Sequence, residues 1–154
     1  MEILWQTQTN TPDATEAEGV RLANMILESP KTPRFVALEG DLGVGKTVFV
    51  RGLVSVLVPG SAVRSPTFAL VNEYRKKDTR IPVYHFDVYR INDEDDLYSI
   101  GFYDYLDSNA VCLVEWSENI RYAFPKEYLT VRIEKNDISS PDSRMITVML
   151  EGAR

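Results

Sequence analysis

The chain has 154 residues, 44% hydrophobic and 26% charged, with a formal net charge of −6. That composition suits one soluble globular domain spanning 1–154, a size that buries about 70% of the unfolded surface. The acidic balance argues against stable direct nucleic-acid binding by this chain alone, since phosphate contacts need a basic face.

Cys112 is the one cysteine, which leaves no internal disulfide and no four-cysteine metal site. The start lacks a basic segment followed by an apolar one, and no apolar run reaches about 18 residues, so a cytoplasmic protein without a membrane segment is expected.

Ile3 and Trp5 alternate with polar residues and predict a short strand. Thr11-Pro12-Asp13 reads as a helix start, with Thr11 or Asp13 as cap and Glu16 three residues after Asp13. Ala17, Val20, Asn24 and Leu27 then fall on one helical face, and the helix should stop before Pro30.

Residues 34–39 form a short apolar run, entered from Pro33. Directly after it stands Gly40-Asp41-Leu42-Gly43-Val44-Gly45-Lys46-Thr47, which fits the phosphate-loop pattern G-x-x-x-x-G-K-[ST]. Glycines let the backbone close around a phosphate. The lysine reaches the β- and γ-phosphates, and the Thr47 hydroxyl can ligate Mg²⁺. Residues 41–47 are therefore the expected nucleotide contacts. The next run, 48–58, is rich in β-branched residues and reads as strand on propensity alone, but its length suits a buried helix ending at Pro59-Gly60.

Residues 61–67 are polar and turn-rich. Two strands are expected at 68–74 and 82–89, joined by a charged connection as an antiparallel hairpin. Asn92 can cap a helix through 93–97, with acids in the first turn where the helix dipole favours them. Gly101 breaks it, and 103–106 adds another turn. Residues 110–115 form an apolar run closing on Glu115, and 128–134 with 144–150 read as a second hairpin. No repeat, low-complexity tract or domain boundary is evident.

A triphosphate site needs a metal, and its second acidic ligand usually stands at the end of a neighbouring buried strand. Glu115 is placed that way, with Thr47 as the other metal ligand; a solvated strand-end acid is the bland reading. Asp87 follows on the same strand face as His85, although Asp sits poorly within a strand; a surface hairpin acid is its alternative. Thr67 can act as a switch threonine or merely cap its own turn. The sole histidine, His85, reads as a satisfied, packed imidazole rather than a catalytic one. Trp116 is packing or a wall of the site. No arginine stands in a convincing position to act as an intrinsic finger on the phosphates.

Gly40-Asp-Leu-Gly-Val-Gly-Lys-Thr47, Ser65-Pro-Thr-Phe68, Tyr84-His-Phe-Asp-Val-Tyr-Arg90 and Val114-Glu-Trp116, in that order, closely resemble the TsaE family of small bacterial ATPases required for tRNA threonylcarbamoyladenosine formation. The resemblance covers roughly residues 10 to 120. It implies an α/β, P-loop NTPase-type three-layer fold with parallel central strands and flanking antiparallel strands. It also implies ATP and Mg²⁺ as cofactors, and the TsaB–TsaD complex as partner.

In that family TsaD performs the transfer to adenosine, and TsaE hydrolyses ATP to keep the machine turning over. By the same resemblance Lys46 and Thr47 hold phosphate and Mg²⁺, and Glu115 is a metal-side acid. Asp87 and the switch-like Thr67 serve activity, and Trp116 stands at the site. Arg144 sits where an arginine often precedes the last strand, and an adenine contact is expected from it. The family often has Pro and then Gly after Glu-Trp; here Ser117-Glu-Asn-Ile120 stands instead.

Two other functions share a phosphate loop. A small-molecule kinase should add an arginine-rich lid over the phosphates, and no such cluster is seen. A non-hydrolysing nucleotide sensor would bind ATP without turnover. The leading expectation is a weak Mg²⁺-dependent ATPase activated by its partners.

Overall fold

Local propensity is settled by what each segment can bury. The computed structural model describes residues 1–41, 43–67 and 69–152, so the expected nucleotide contact at Leu42 lies outside the described residues. β1 (Glu2–Thr9) leads into α1 (Pro12–Glu28), then β2 (Phe35–Glu39) and α2 (Lys46–Leu57). β3 (Val71–Tyr74) and β4 (Val83–Asp87) follow, then two short helices, α3 (Glu94–Ser99) and α4 (Phe102–Leu106). β5 (Val111–Glu115), a 3₁₀ segment (Ser117–Ala123), β6 (Glu127–Lys135) and β7 (Arg144–Gly152) complete the order.

All seven strands join one sheet in the order β1-β7-β6-β2-β5-β4-β3. The four central strands, β6, β2, β5 and β4, are parallel; β3 pairs antiparallel with β4, and β7 and β1 add antiparallel strands on the far side. The expected architecture of a parallel core with antiparallel flanks is what forms. Helices cover both faces. β4 and β5 are buried along their whole length, as strands covered on both faces must be.

Alternation along each strand divides the core in two. Val36, Leu38, Val83 and Leu113 pack with α1 and α2, while Phe35, Ala37, Phe86 and Val114 pack with Leu97, Phe102 and Ile120 on the opposite face. The run after the phosphate loop is helical because Phe49, Val50, Leu53, Val54 and Leu57 recur at three- and four-residue spacing and are all buried. Tertiary burial outweighs its β-branched propensity.

Two local expectations are corrected, the buried face of α1 and the cap of α3, and one open choice, the cap of α1, is decided. The buried face of α1 carries Thr15, Gly19, Leu22, Ala23 and Ile26. Ala17 and Asn24 are exposed and Val20 and Leu27 are only half-buried. The face turns because α1 approaches α2 through glycine: a Cβ at Gly19 would run into the Phe49 carbonyl, and one at Gly52 into the Glu16 carbonyl. The α1 cap is Thr11, whose side chain accepts from Ala14 N at 3.1 Å, rather than Asp13. The α3 cap is Asp93, accepting from Asp96 N, rather than Asn92.

The parallel core also fixes where chemistry can occur. β2, β4 and β5 run the same way, so their carboxyl ends emerge side by side, and in open α/β sheets that edge is where ligands bind. β2 ends at the phosphate loop, β4 at Asp87 and β5 at Glu115, and Asp87 and Glu115 are register partners.

Candidate nucleotide site

Gly43 and Gly45 have φ of +75° and +113°, values an L side chain rarely adopts. They turn the chain from β2 into α2, and Gly45 is the left-handed cap before Lys46. Two contacts brace the loop. Val44 is buried, and its carbonyl accepts a 2.6 Å hydrogen bond from Arg144 Nε at the start of β7. The N-terminus of the twelve-residue α2, with Lys46 and Thr47 in its first turn, is a natural anion site through its free N–H groups and dipole.

Lys46 Nζ donates to the Gly40 carbonyl at 2.8 Å and lies 3.1 Å from Glu115 Oε1. His85 Nε2 is 2.7 Å from Glu115 Oε2, off the in-plane line of a hydrogen bond. Burial pushes the Glu115 carboxyl up, but His85 and Lys46 prevail and hold it below the usual carboxylate range. Glu115 is therefore an anion at neutral pH, only 7% exposed. It is not the solvated strand-end acid of the bland reading. His85 is fully buried as expected, but its Nδ1 has no hydrogen-bond partner among the described residues, so it is packed without being satisfied.

Asp87 is also buried at 7% exposure, and β4 lies inside β3, so this is not a surface acid of an edge hairpin. Its Oδ1 accepts from Tyr89 N at 3.0 Å, and its own N–H donates to Leu70 O at 2.9 Å.

Trp116 follows Glu115 in a left-handed conformation, φ +62°, and its ring lies 4.8 Å from that of Tyr89. The unusual Ser117-Glu-Asn-Ile120 stretch turns back on the end of β4: Asn119 Nδ2 donates to the carbonyls of Val88 and Tyr89. Thr67 is exposed, and its hydroxyl lies 2.7 Å from Ser65 Oγ within the turn.

One cleft of about 1250 Å³ brings these residues together. Asp41, Gly43, Val44, Gly45, Lys46, Thr47, Thr67, Asp87, Glu115 and Trp116 all line it. Arg144 does not line it; it holds the loop from behind through Val44. The cleft also holds residues to which the sequence assigns no role of their own: Ser65, Tyr89, Arg90, Arg132 and Lys135. Ser65, Tyr89 and Arg90 stand inside the segments that carry the family resemblance, while no local pattern marks Arg132 or Lys135, because only the strand order places the end of β6 beside the loop. A shallower groove of about 530 Å³ between Trp5 and α1 contains none of the candidate residues.

Among the described residues no group of three or more His, Cys, Asp or Glu is arranged to hold a metal ion. Thr47 and Glu115 fit the mode in which Mg²⁺ takes one or two protein oxygens and completes its shell with phosphate and water. The acid is buried and ionised and stands beside the loop lysine, so the oxygens such a cation would take from this chain are the Thr47 hydroxyl and the Glu115 carboxylate.

A profile of the family described as "Threonylcarbamoyl adenosine biosynthesis protein TsaE" matches residues 9–146. The chain belongs to the TsaE family. It is 36% identical over 153 residues to the TsaE protein of Bacillus subtilis, covering 99% of this chain and 89% of that one. It is 38% identical over 134 residues to the TsaE protein of Haemophilus influenzae, covering 86% and 81%. Both are named as tRNA threonylcarbamoyladenosine biosynthesis proteins. The crystal structure of Bacillus subtilis YdiB superposes with a TM-score of 0.75 at 30% identity, covering 99% of this chain and 89% of that one. For a TsaE protein, the P-loop-type three-layer sheet is thus the expected and observed fold. Among the described residues no helix is long and apolar enough to cross a membrane.

Proposed function

We propose that this TsaE protein is a cytoplasmic, single-domain ATPase that binds ATP with Mg²⁺ and hydrolyses it slowly. Working with TsaB–TsaD, it serves threonylcarbamoyladenosine formation in tRNA. The pathway is taken from the names of its relatives. The chemistry rests on one observation: the loop lysine, Lys46, meets the buried anion Glu115 at 3.1 Å where β2 and β5 end together.

Lys46 leaves Glu115 to pair with phosphate oxygens, which frees the carboxylate for the metal side. When bound, Mg²⁺ would supply positive charge at the phosphates, and Thr47 and Glu115 would hold it from the protein side. His85 keeps the Glu115 carboxylate in place, with its second oxygen 2.7 Å from the imidazole. Asp87 has one oxygen engaged by Tyr89 N; the other is available to orient a water. Thr67, exposed on its turn, reports on the terminal phosphate. Trp116 and Tyr89 wall the cleft at its rim.

Lys46→Ala should weaken ATP binding by about 2–3 kcal/mol, the worth of a charge-assisted contact. Glu115→Gln should spare binding and depress Mg²⁺-dependent hydrolysis. Calorimetry on both variants, followed by single-turnover hydrolysis with and without TsaB–TsaD, tests the reading. Unchanged ATP affinity in Lys46→Ala would place the nucleotide elsewhere. Equal rates with and without partners, in a verified complex, would refute activation, and a Glu115→Gln variant with normal hydrolysis would remove Glu115 from the metal side.

A further inference from the structure

The cleft is lined by four basic side chains: Lys46, Arg90, Arg132 and Lys135. Two are engaged. Lys46 is held by Glu115 and the Gly40 carbonyl, and Arg132 sits 3.1 Å from Glu39 through both Nε and a terminal nitrogen. The side chains of Arg90 and Lys135 make no hydrogen bond or ion pair with any described residue, and both are exposed. A phosphate-binding cleft with two uncommitted cations has charge set aside for something outside the chain.

Strand order tells the two apart. From the loop at the end of β2, β5 and β4 lie on one side and β6 on the other. Lys46 leans toward the β5 side, to Glu115. The end of a polyphosphate that meets Lys46 and the metal-side acid therefore faces β5 and β4, and the nucleoside end faces β6. Arg90 stands three residues beyond Asp87 on the first side, and Lys135 closes β6 on the second.

Arg90 is also presented from an unusually well-braced turn. Val88 N donates to Glu115 O at 3.2 Å and Ile91 N to Val88 O at 3.1 Å. Asn119 Nδ2 donates to Val88 O and Tyr89 O, and Tyr89 N to Asp87. Val88 and Ile91, on either side, are buried. The backbone under Arg90 is thus fixed to Glu115 and Asp87, while its guanidinium remains unengaged. A positive side chain carried on a fixed backbone at the cleft is placed to meet charge that develops in a transition state.

The geometry points to Arg90 as a catalytic arginine that binds the terminal phosphoryl group of the nucleotide, supplied in cis. The inference rests on the nucleotide reading of the cleft. In hydrolysis a bond forms from water oxygen to the γ-phosphorus as the bond from that phosphorus to the bridging oxygen breaks. ADP departs with the electron pair, and the water proton passes to phosphate and solvent. Arg90 exchanges no proton; its guanidinium carries charge on the γ-oxygens throughout.

The test is calorimetric and does not depend on turnover. ADP, a non-hydrolysable β,γ-imido ATP analogue, and ADP with aluminium fluoride are each titrated with Mg²⁺ into the full chain, as wild type, Arg90→Ala, Arg90→Lys and Lys135→Ala. Arg90→Ala should leave ADP affinity within about twofold and weaken the analogue and the fluoride complex by roughly tenfold to a hundredfold. Arg90→Lys should restore only part of the loss, since the planar fork is missing. Lys135→Ala should weaken all three ligands alike. Equal losses for ADP and the analogue in Arg90→Ala, or no loss, would overturn the assignment while leaving the cleft intact. Failure of the wild type to bind any of the three would overturn the nucleotide reading and this assignment with it. Matching melting temperatures for the variants show that each result is not a folding defect.

Discussion

Gly19→Ala sets helix propensity against packing, and the two give opposite signs. In an isolated helix the change is worth about 1 kcal/mol in favour of Ala. In this fold the new methyl would run into the Phe49 carbonyl and lie 2.9 Å from Leu53 N and 3.0 Å from Phe49 C. All three obstacles are α2 backbone, so no rotamer change relieves them, and α1 and α2 must part by about 1 Å. A gap of that size forfeits a quarter to a half of each dispersion contact across it.

The contact includes Leu22, Ala23 and Ile26 against Phe49, Val50 and Leu53. Overpacking costs about 1–3 kcal/mol, and a backbone obstacle belongs at the upper end. After the propensity gain, a net destabilisation of about 2 kcal/mol is expected, or roughly 4–8 °C in melting temperature for a chain of this size. Thermal denaturation followed by circular dichroism measures it. Gly52→Ala, which meets Glu16 backbone, should behave alike, and the double variant should fall short of the sum because the same two helices separate once. A Gly19→Ala protein melting at or above wild type would refute the close-approach argument.

Thr11→Ala removes the α1 cap bond to Ala14 N and should cost about 1 kcal/mol by chemical denaturation. Arg144→Ala releases the Val44 carbonyl, so nucleotide affinity should drop by roughly threefold to tenfold without loss of a direct contact; Arg144→Lys should not restore it, as calorimetry would show. Burial pushes the Cys112 thiol up to about 12, so iodoacetamide at mildly alkaline pH should label it only through unfolding, at a rate that follows the denaturant curve. Because that value is raised in the fold, its stabilising share is full below the ordinary thiol range, about 8.5, and fades as pH climbs above it. Cys112→Ala should flatten that part of the alkaline decline in stability.

What could be read in advance followed from chemistry that is local in the chain. The glycine spacing, Lys46 and Thr47 fall within eight residues, and Glu115 closes an apolar run visible without any partner strand. The resemblance to the TsaE family rested on such short segments and holds over 9–146. The buried face of α1 is not legible in the sequence because its centre is Gly19, which a count of apolar side chains ignores and which is buried only because α2 offers backbone there. The place of Arg90 is hidden for a related reason. The arginine closes the segment 84–90 that carries the family resemblance, but nothing in that segment assigns it a role, and its place in the cleft exists only once β4 lies beside β5. The packing of His85 is legible from its place in an apolar run, but its lack of a hydrogen-bond partner among the described residues and its contact with Glu115 are again a matter of strand neighbours.

The strand order also bears on how the chain folds during synthesis. Among the described residues β1 pairs with β7 alone, Glu2 with Leu150 through to Thr9 with Arg144, so the first of these strands in sequence waits for the last of them. β2 must wait as well, since its neighbours are β5 and β6. The phosphate loop and α2 are thus made long before the sheet that positions them can close. Such non-local pairing slows folding and leaves unpaired edges open to other chains in the interim. A cut that removed β7 would cost more than one strand. It would free the whole of β1 and one side of β6, and it would take Arg144 away from the loop it braces.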